Sequence, residues 1–252
     1  MASPVAAGCI SYKRTMVIGV VGGMGSYATL HFFRRYLEVF PAEKEWDRPR
    51  IIIDNRCTMP SRVRALLYGE EKELLIRELT DSISRLVDAG CDRIVLACNT
   101  SHVFLEDVYA ANPEAEKYIL NILEVCAQDV LSQGILAASP LSLIATEGTI
   151  ESQIYQRVFQ KYGMTIVSSA KETFQELRYY IEAVKQNHLT DRCIDDFAAF
   201  IKRQPTDILL LGCTEFPVLF EKVRNRQELS QIRVFDPLES ALKQLRQDFT
   251  QQ

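Results

Sequence analysis

Two short stretches of the chain, LACNTSH (96–102) and LLLGCTEFP (209–217), share one plan. Each places a cysteine directly after an apolar run and directly before small polar residues. A cysteine in such a place is either a small buried hydrophobe or a thiol at a strand end, facing the start of a helix. The second setting has chemical consequences. Asn99, Thr100 and Ser101 follow Cys98, and Thr214, Glu215, Phe216 and Pro217 follow Cys213. Hydroxyl and amide side chains cap the free N–H groups of a helix start, and proline is tolerated in its first turn. The partial positive charge of a helix N-terminus lowers a neighbouring thiol pKa from its free value of about 8.5. It also attracts anions such as carboxylates.

Two such thiols, facing each other across a ligand, suit the inversion of a stereocentre that carries an acidic C–H. A base on one face removes the proton and an acid on the other face returns one, with the roles exchanged in reverse. Sulfurs each about 3.5 Å from one carbon would stand roughly 7 Å apart, too far for a disulfide. Nucleophilic cysteine catalysis is the rival reading, and it needs a base beside the sulfur. His102 lies four residues after Cys98, whereas neither His31 nor His188 is near Cys213 in sequence. Glu215 could orient or tune Cys213 instead. Cys91, Cys126 and Cys193 fall on expected helix ends or faces and read as packing residues. Cys57 lies in a polar loop, and Cys9 is incidental in the N-terminal leader.

The elements that must position these residues alternate in type. Strands are expected over 16–21, 49–54, 92–97 and 117–122, with helices over 27–40 and 69–90, from about 101, and over 124–134. The polar run NRCTMPSR reads as a loop. The alternation then restarts, with strands over 141–146, 164–169, 207–212 and 232–236. Helices are expected over 150–163, 172–186 and 191–203, from 216, and from 237 onward. This pattern predicts an α/β fold of two similar halves, each a mainly parallel sheet flanked by helices. Cys98 and Cys213 lie about half a chain apart, as do the strand–turn–helix units VIGVVGGMGSYAT and LSLIATEGTIES. In parallel sheets ligands bind at the carboxyl ends of strands, where both cysteines sit.

Composition narrows the function. The 252 residues are 47% hydrophobic, enough for a sizeable core. A net charge of −4 argues against nucleic acid or an anionic membrane as partner. No apolar run approaches the ~20 residues of a membrane span, and residues 1–15 read as a flexible leader, not a signal peptide. Seven cysteines without CxxC or Cys/His metal spacing suit free thiols in a reducing, cytoplasmic compartment.

At CNTSH and GCTEFP the chain resembles the aspartate/glutamate racemases, the cofactor-independent amino-acid racemases that use two cysteines. The resemblance runs from about Met16 onward, through GGMGS, TMPSR, CNTSH and ATEGTIESQIY to GCTEFP. It implies two pseudosymmetric domains with the site in the cleft between them, assigned here as 16–123 plus 229–252 with Cys98, and 124–228 with Cys213. It implies Cys98 and Cys213 as catalytic acid/bases. Asn99, Thr100 and Thr214 would bind the substrate's carboxylate and ammonium, and Met24 and Gly25 would bring main chain close to it. Asn55 and Arg62 would line the cleft, Arg62 holding a side-chain carboxylate. Glu215 and His102 would have supporting roles, with Thr146 and Thr149 capping the helix after the TEGT turn. Neither metal nor cofactor is expected; the partner is an amino-acid substrate, with a homodimer possible. The C-terminal strand and helix would return to the first domain.

The match has departures. Aspartate-specific members of that family tend to carry a lysine early in the helix after the TIVSS-like strand, where Phe174 stands here, and Ser26 replaces the usual proline after GGMG. A broader or less acidic substrate range follows. Similar two-cysteine enzymes, maleate isomerases and arylmalonate decarboxylases, are the alternative reading. A low-turnover amino-acid-binding protein is another.

Overall fold

The computed structural model describes residues 15–135 and 139–251; most of the leader, including Cys9, lies outside them. Val17–Gly22 (β1) is apolar along its length and almost wholly buried, as a central parallel strand covered on both faces must be. It pairs in parallel with Arg50–Asn55 (β2) on one side and Arg93–Leu96 (β3) on the other. The second sheet repeats this arrangement. Pro140–Ala145 (β4) lies between Thr165–Ser168 (β5) and Ile208–Gly212 (β6), and Arg233–Phe235 (β7) joins beyond β6, all parallel. The orders are β2-β1-β3 and β5-β4-β6-β7. In the first sheet the place equivalent to β7 is held by Ile119, through a single parallel bridge to Ile94. The duplication is therefore topological, and β3 and β6 are equivalent strands.

Eleven α-helices are described: Ser26–Val39 (α1), Arg62–Tyr68 (α2), Lys72–Asp88 (α3), Leu105–Ala111 (α4), Ile122–Ser132 (α5), Glu147–Glu151 (α6), Ile154–Gln160 (α7), Phe174–Lys185 (α8), Asp191–Lys202 (α9), Phe216–Val223 (α10) and Pro237–Thr250 (α11). On the outer face of the first sheet, Leu75, Leu79 and Ile83 of α3 pack with Val108 of α4 against Ile94 and Leu96. On the outer face of the second, Tyr180, Phe197, Phe200 and Phe216 cover Leu209 and Leu211. The inner faces share one core. Apolar residues of α1, α5, α7 and α11 pack against Ile18, Val20 and Val95 of one sheet and Leu141, Leu143 and Leu210 of the other. Among the described residues no helix is long and apolar enough to cross a membrane.

Four sequence expectations change. The strand over 117–122 shrinks to one bridge, because a 3-10 turn takes Pro113–Lys117 and Asn121 already caps α5, accepting from the N–H groups of Leu123 and Glu124. The helix over 69–90 is found as α3, and a further helix, α2, precedes it where a loop was expected. Gly69 (φ 70°) ends α2, and Glu71 in a left-handed conformation (φ 51°) precedes α3. The helix over 150–163 is broken by Gln153 (φ 53°) between α6 and α7. Finally, the last strand does not return to the first half. β7 pairs with β6, and only α11 comes back, against α1 and α5.

The turn after β1 is fixed by Gly23, whose φ of 82° lies in the left-handed region. A Cβ there would lie 2.5 Å from backbone atoms of Arg56 and Cys57. Gly23→Ala is expected to cost about 1–3 kcal/mol from the strained conformation alone, and more from the clash. Urea unfolding followed by circular dichroism measures it, and an unchanged midpoint would show that the turn tolerates a side chain.

Candidate active site

The carboxyl ends of β3 and β6 carry Cys98 and Cys213 to one narrow cleft of about 50 Å³, lined also by Met24, Arg62, Asn99, Thr146, Lys185 and Glu215. Both sulfurs belong to free cysteines and both residues are buried, at 6% exposure each. Cys91, Cys126 and Cys193 are buried in the apolar clusters, and burial raises their thiols, that of Cys91 to about 11. They are packing residues. Cys57 is exposed.

The segments after the two cysteines differ from the expected capped helices. Thr100–Phe104 is a 3-10 turn leading into α4, and neither it nor α10 is capped by a side chain. The polar side chains are used otherwise. Thr100 Oγ1 contacts the hydroxyls of Thr146 (3.2 Å) and Thr149 (2.8 Å), which also contact each other at 2.9 Å. Thr146 meanwhile caps α6, accepting from the Thr149 N–H as expected. This triangle of hydroxyls links the segment after β3 to the segment after β4.

Asn99 is oriented by a residue that sequence reasoning missed. The hydroxyl of Tyr155, on α7, donates to Asn99 Oδ1 at 2.8 Å, with both groups buried. With the phenol donating to Oδ1, Nδ2 is the remaining donor, and it is buried without a partner. The motif ATEGTIESQIY did contain Tyr155, but an aromatic at helical spacing reads as core.

Cys213 donates its S–H to Glu215 Oε2 at 2.9 Å, and Thr214 Oγ1 approaches the same oxygen at 3.4 Å. Burial pushes the Cys213 thiol well above its usual range, and the Glu215 carboxylate pushes the same way. Burial also raises Glu215, while the hydrogen bond from Cys213 and the positive charges of Lys185 and Arg62 pull it back. Gly25 permits this packing, since a Cβ there would lie 2.9 Å from Glu215 Oε1. His102 does not act as the partner base of Cys98. Its Nδ1 bonds to the Cys98 carbonyl at 3.0 Å, and burial lowers the ring to about 4. A carbonyl only accepts, so the proton sits on Nδ1 of a neutral ring.

Arg62 lines the cleft, but its fork is engaged: Nη1 donates to the Pro60 carbonyl at 3.0 Å and Nη2 to the Met24 carbonyl at 2.7 Å. Nε is buried and unpartnered. Asn55 does not line the cleft; it is exposed at the end of β2 and bonds to Ser26 Oγ at 3.0 Å. At the far end of the helix that Phe174 begins, Lys185 comes to the cleft. The stem of Lys185 lines the cleft, and its ammonium reaches outward to Glu182 at 3.1 Å. Burial works against its charge, but Glu215 and Cys213 outweigh it and raise its pKa. Among the described residues, no group of three or more His, Cys, Asp or Glu side chains is placed to hold a metal ion.

The family model for Asp/Glu/Hydantoin racemases matches residues 21–245. A broad specificity amino-acid racemase, RacX of Bacillus subtilis (strain 168), is 27% identical over 217 residues, covering 83% of this chain and 89% of that protein. A glutamate racemase of Aquifex aeolicus (strain VF5) is 26% identical over 181 residues, covering 71% and 67%. In fold, the chain is similar to the aspartate racemase of Picrophilus torridus, with a TM-score of 0.73 at 24% identity, covering 92% of this chain and 94% of that one. The glutamate racemase of Francisella tularensis, solved with D-glutamate, has a TM-score of 0.64 at 18% identity, covering 94% and 82%.

The Cys213–Glu215 contact makes a pH prediction. Only the thiolate is alkylated readily, so a raised pKa holds Cys213 unreactive until the pH exceeds it. Glu215→Gln removes the charge that helps raise it. The onset of iodoacetamide labelling at Cys213, followed by peptide mass spectrometry, is expected at a lower pH. An onset at the same or higher pH would mean that the carboxylate does not govern this thiol.

Proposed function

The chain belongs to the Asp/Glu/Hydantoin racemase family, and on that footing we propose that it is a pyridoxal-independent amino-acid racemase working by proton transfer between Cys98 and Cys213. The observation that carries the reading is the convergence of two equivalent strand ends, each bearing a thiol, on one narrow cleft. A second observation supports it. Among the described residues, five buried side-chain atoms lack partners, and three belong to residues of this cleft: the donors Arg62 Nε and Asn99 Nδ2 and the acceptor Glu215 Oε1. Buried polar groups are normally satisfied. Two donors and an acceptor complement the carboxylate and ammonium of an amino acid.

In one direction Cys98 takes the Cα proton and the protonated Cys213 delivers another from the opposite face. In the other direction the roles exchange. Loss of the Cα proton drives negative charge into the substrate's carboxylate, to which Asn99 Nδ2 and Arg62 Nε, buried without partners, would donate. Donors fixed before the charge develops stabilise it without reorganisation. Glu215 holds the Cys213 proton in line between turnovers. Aspartate and glutamate are accepted through Lys185, whose ammonium already pairs with Glu182. That is weaker recognition than a bidentate guanidinium clamp gives, so the preference for acidic side chains is slight.

Incubation in D₂O tests the reaction, since racemisation places deuterium at Cα. Cys98→Ser and Cys213→Ser are each expected to abolish racemisation while leaving the circular dichroism spectrum unchanged; full activity in either would end the two-thiol mechanism. Alkene isomerisation or CO₂ release from a malonate by the wild-type protein would instead favour the related cysteine enzymes. Tyr155→Phe keeps the packing but frees the Asn99 amide. Leaving a buried acceptor unpaired costs about 1–3 kcal/mol. The expected result is a KM raised about tenfold with an unaltered pH optimum. An unchanged KM would remove Tyr155 from substrate positioning.

A further inference from the structure

We propose that a second cavity opening off this cleft receives the substrate's side chain, so that the enzyme accepts neutral amino acids with apolar side chains of about four heavy atoms or more, such as norleucine, methionine and leucine. The inference rests on the racemase reading. The catalytic cleft encloses only about 50 Å³ and adjoins a cavity of about 470 Å³; Ser61, Val63, Thr146, Ile181 and Lys185 line both. A ligand whose Cα lies between the thiols therefore has a continuous path for its side chain.

The larger cavity is formed largely between α2 and α8. Its apolar wall comes from Val63, Leu67, Phe174, Leu177 and Ile181. Phe174 supplies apolar surface at the start of α8. The cations of the wall already face carboxylates: Arg178 meets Glu147 at 3.0 Å, Lys185 meets Glu182 at 3.1 Å, and Arg64 meets Glu70 at 2.5 Å. A distal carboxylate entering here must compete with existing partners, whereas an alkyl or thioether chain gains contact with the wall. Small-molecule sites of this kind are mostly apolar, with a few polar groups fixing orientation. Here the fixed polar groups hold the Cα substituents, and the apolar wall reads the chain.

The test compares Cα-deuterium incorporation from D₂O into L-alanine, L-norleucine, L-methionine, L-aspartate and L-glutamate, using the full-length wild-type protein. The expected result is a kcat/KM for norleucine and methionine at least tenfold above that for alanine. Exchange confined to aspartate and glutamate, or alanine equal to norleucine, would overturn the inference and leave the racemase reading standing. Exchange with no amino acid would overturn both. Filling the cavity with Leu67→Trp is expected to lower the norleucine-to-alanine ratio of kcat/KM about tenfold or more, the scale on which such sites resolve a few methylenes. Phe174→Trp gives the same readout should the first variant fail to fold. An unchanged ratio in a folded variant would overturn the inference.

Discussion

The core shared by the two sheets is what makes a single site possible. A parallel strand end is only half of a two-base site, since it presents one thiol to one face of a ligand. The helices α1, α5, α7 and α11 bury their apolar sides against both sheets at once. The carboxyl ends of β3 and β6 thereby face a common space. Close-packed interiors transmit small volume changes, so the separation of the two strand ends is governed by the large side chains of this layer, including Phe32, Tyr155 and Phe159. Tyr155 belongs to that layer and to the site together. Its ring is fully buried in the core, and its hydroxyl sets the Asn99 amide.

Topological symmetry does not extend to the electrostatics. Cys213 has a carboxylate two residues on that accepts its proton; the residue nearest to an equivalent after Cys98 is Thr100, whose hydroxyl is turned toward Thr146 and Thr149. His102, four residues after Cys98, is bonded to a carbonyl and kept neutral by burial. The two cysteines thus have different neighbours. Burial and a nearby negative charge both favour a protonated sulfur, so Cys213 rests as the thiol. Lys185, whose positive charge bears on both Glu215 and Cys213, acts against that preference.

What could be read from the sequence follows the strength of local signals. β1, β3, β4 and β6 were legible because buried parallel strands are uninterrupted apolar runs, and the cysteine-bearing bends because they occur twice. α2 was not legible. RVRALLY is short and carries charges, and the polar residues ahead of it suggested a loop; only the Ser61 cap, accepting from the Arg64 N–H, marks its start. Gln153 broke a helix without any glycine or proline to announce it. Lys185 escaped notice for a geometric reason. Expectation placed a cation at the beginning of α8, but that helix runs along the cavity, and its last residue reaches the cleft. Periodicity reveals which face of a helix is buried and says little about which end approaches a ligand.

The hydroxyl triangle of Thr100, Thr146 and Thr149 bears on how rigid this arrangement is. Three hydroxyls hold three protons, and the triangle has three edges, so each group can donate once and accept once. The Thr149 N–H adds a further bond to Thr146. Separating the two halves along this line would leave the hydroxyl of buried Thr100 without its partners, at a cost larger than the modest net gain from forming the bonds. The triangle joins the segment after β3 to the segment after β4, one element from each sheet, beside Cys98. Motion that admits a ligand therefore meets less resistance on the other side of the cleft, at α2 and α8. There α8 is tied to α6 by an exposed ion pair, Arg178–Glu147, which contributes little to stability. The fold keeps the thiols fixed on one side and leaves the approach to them on the side where bonds are cheapest to break.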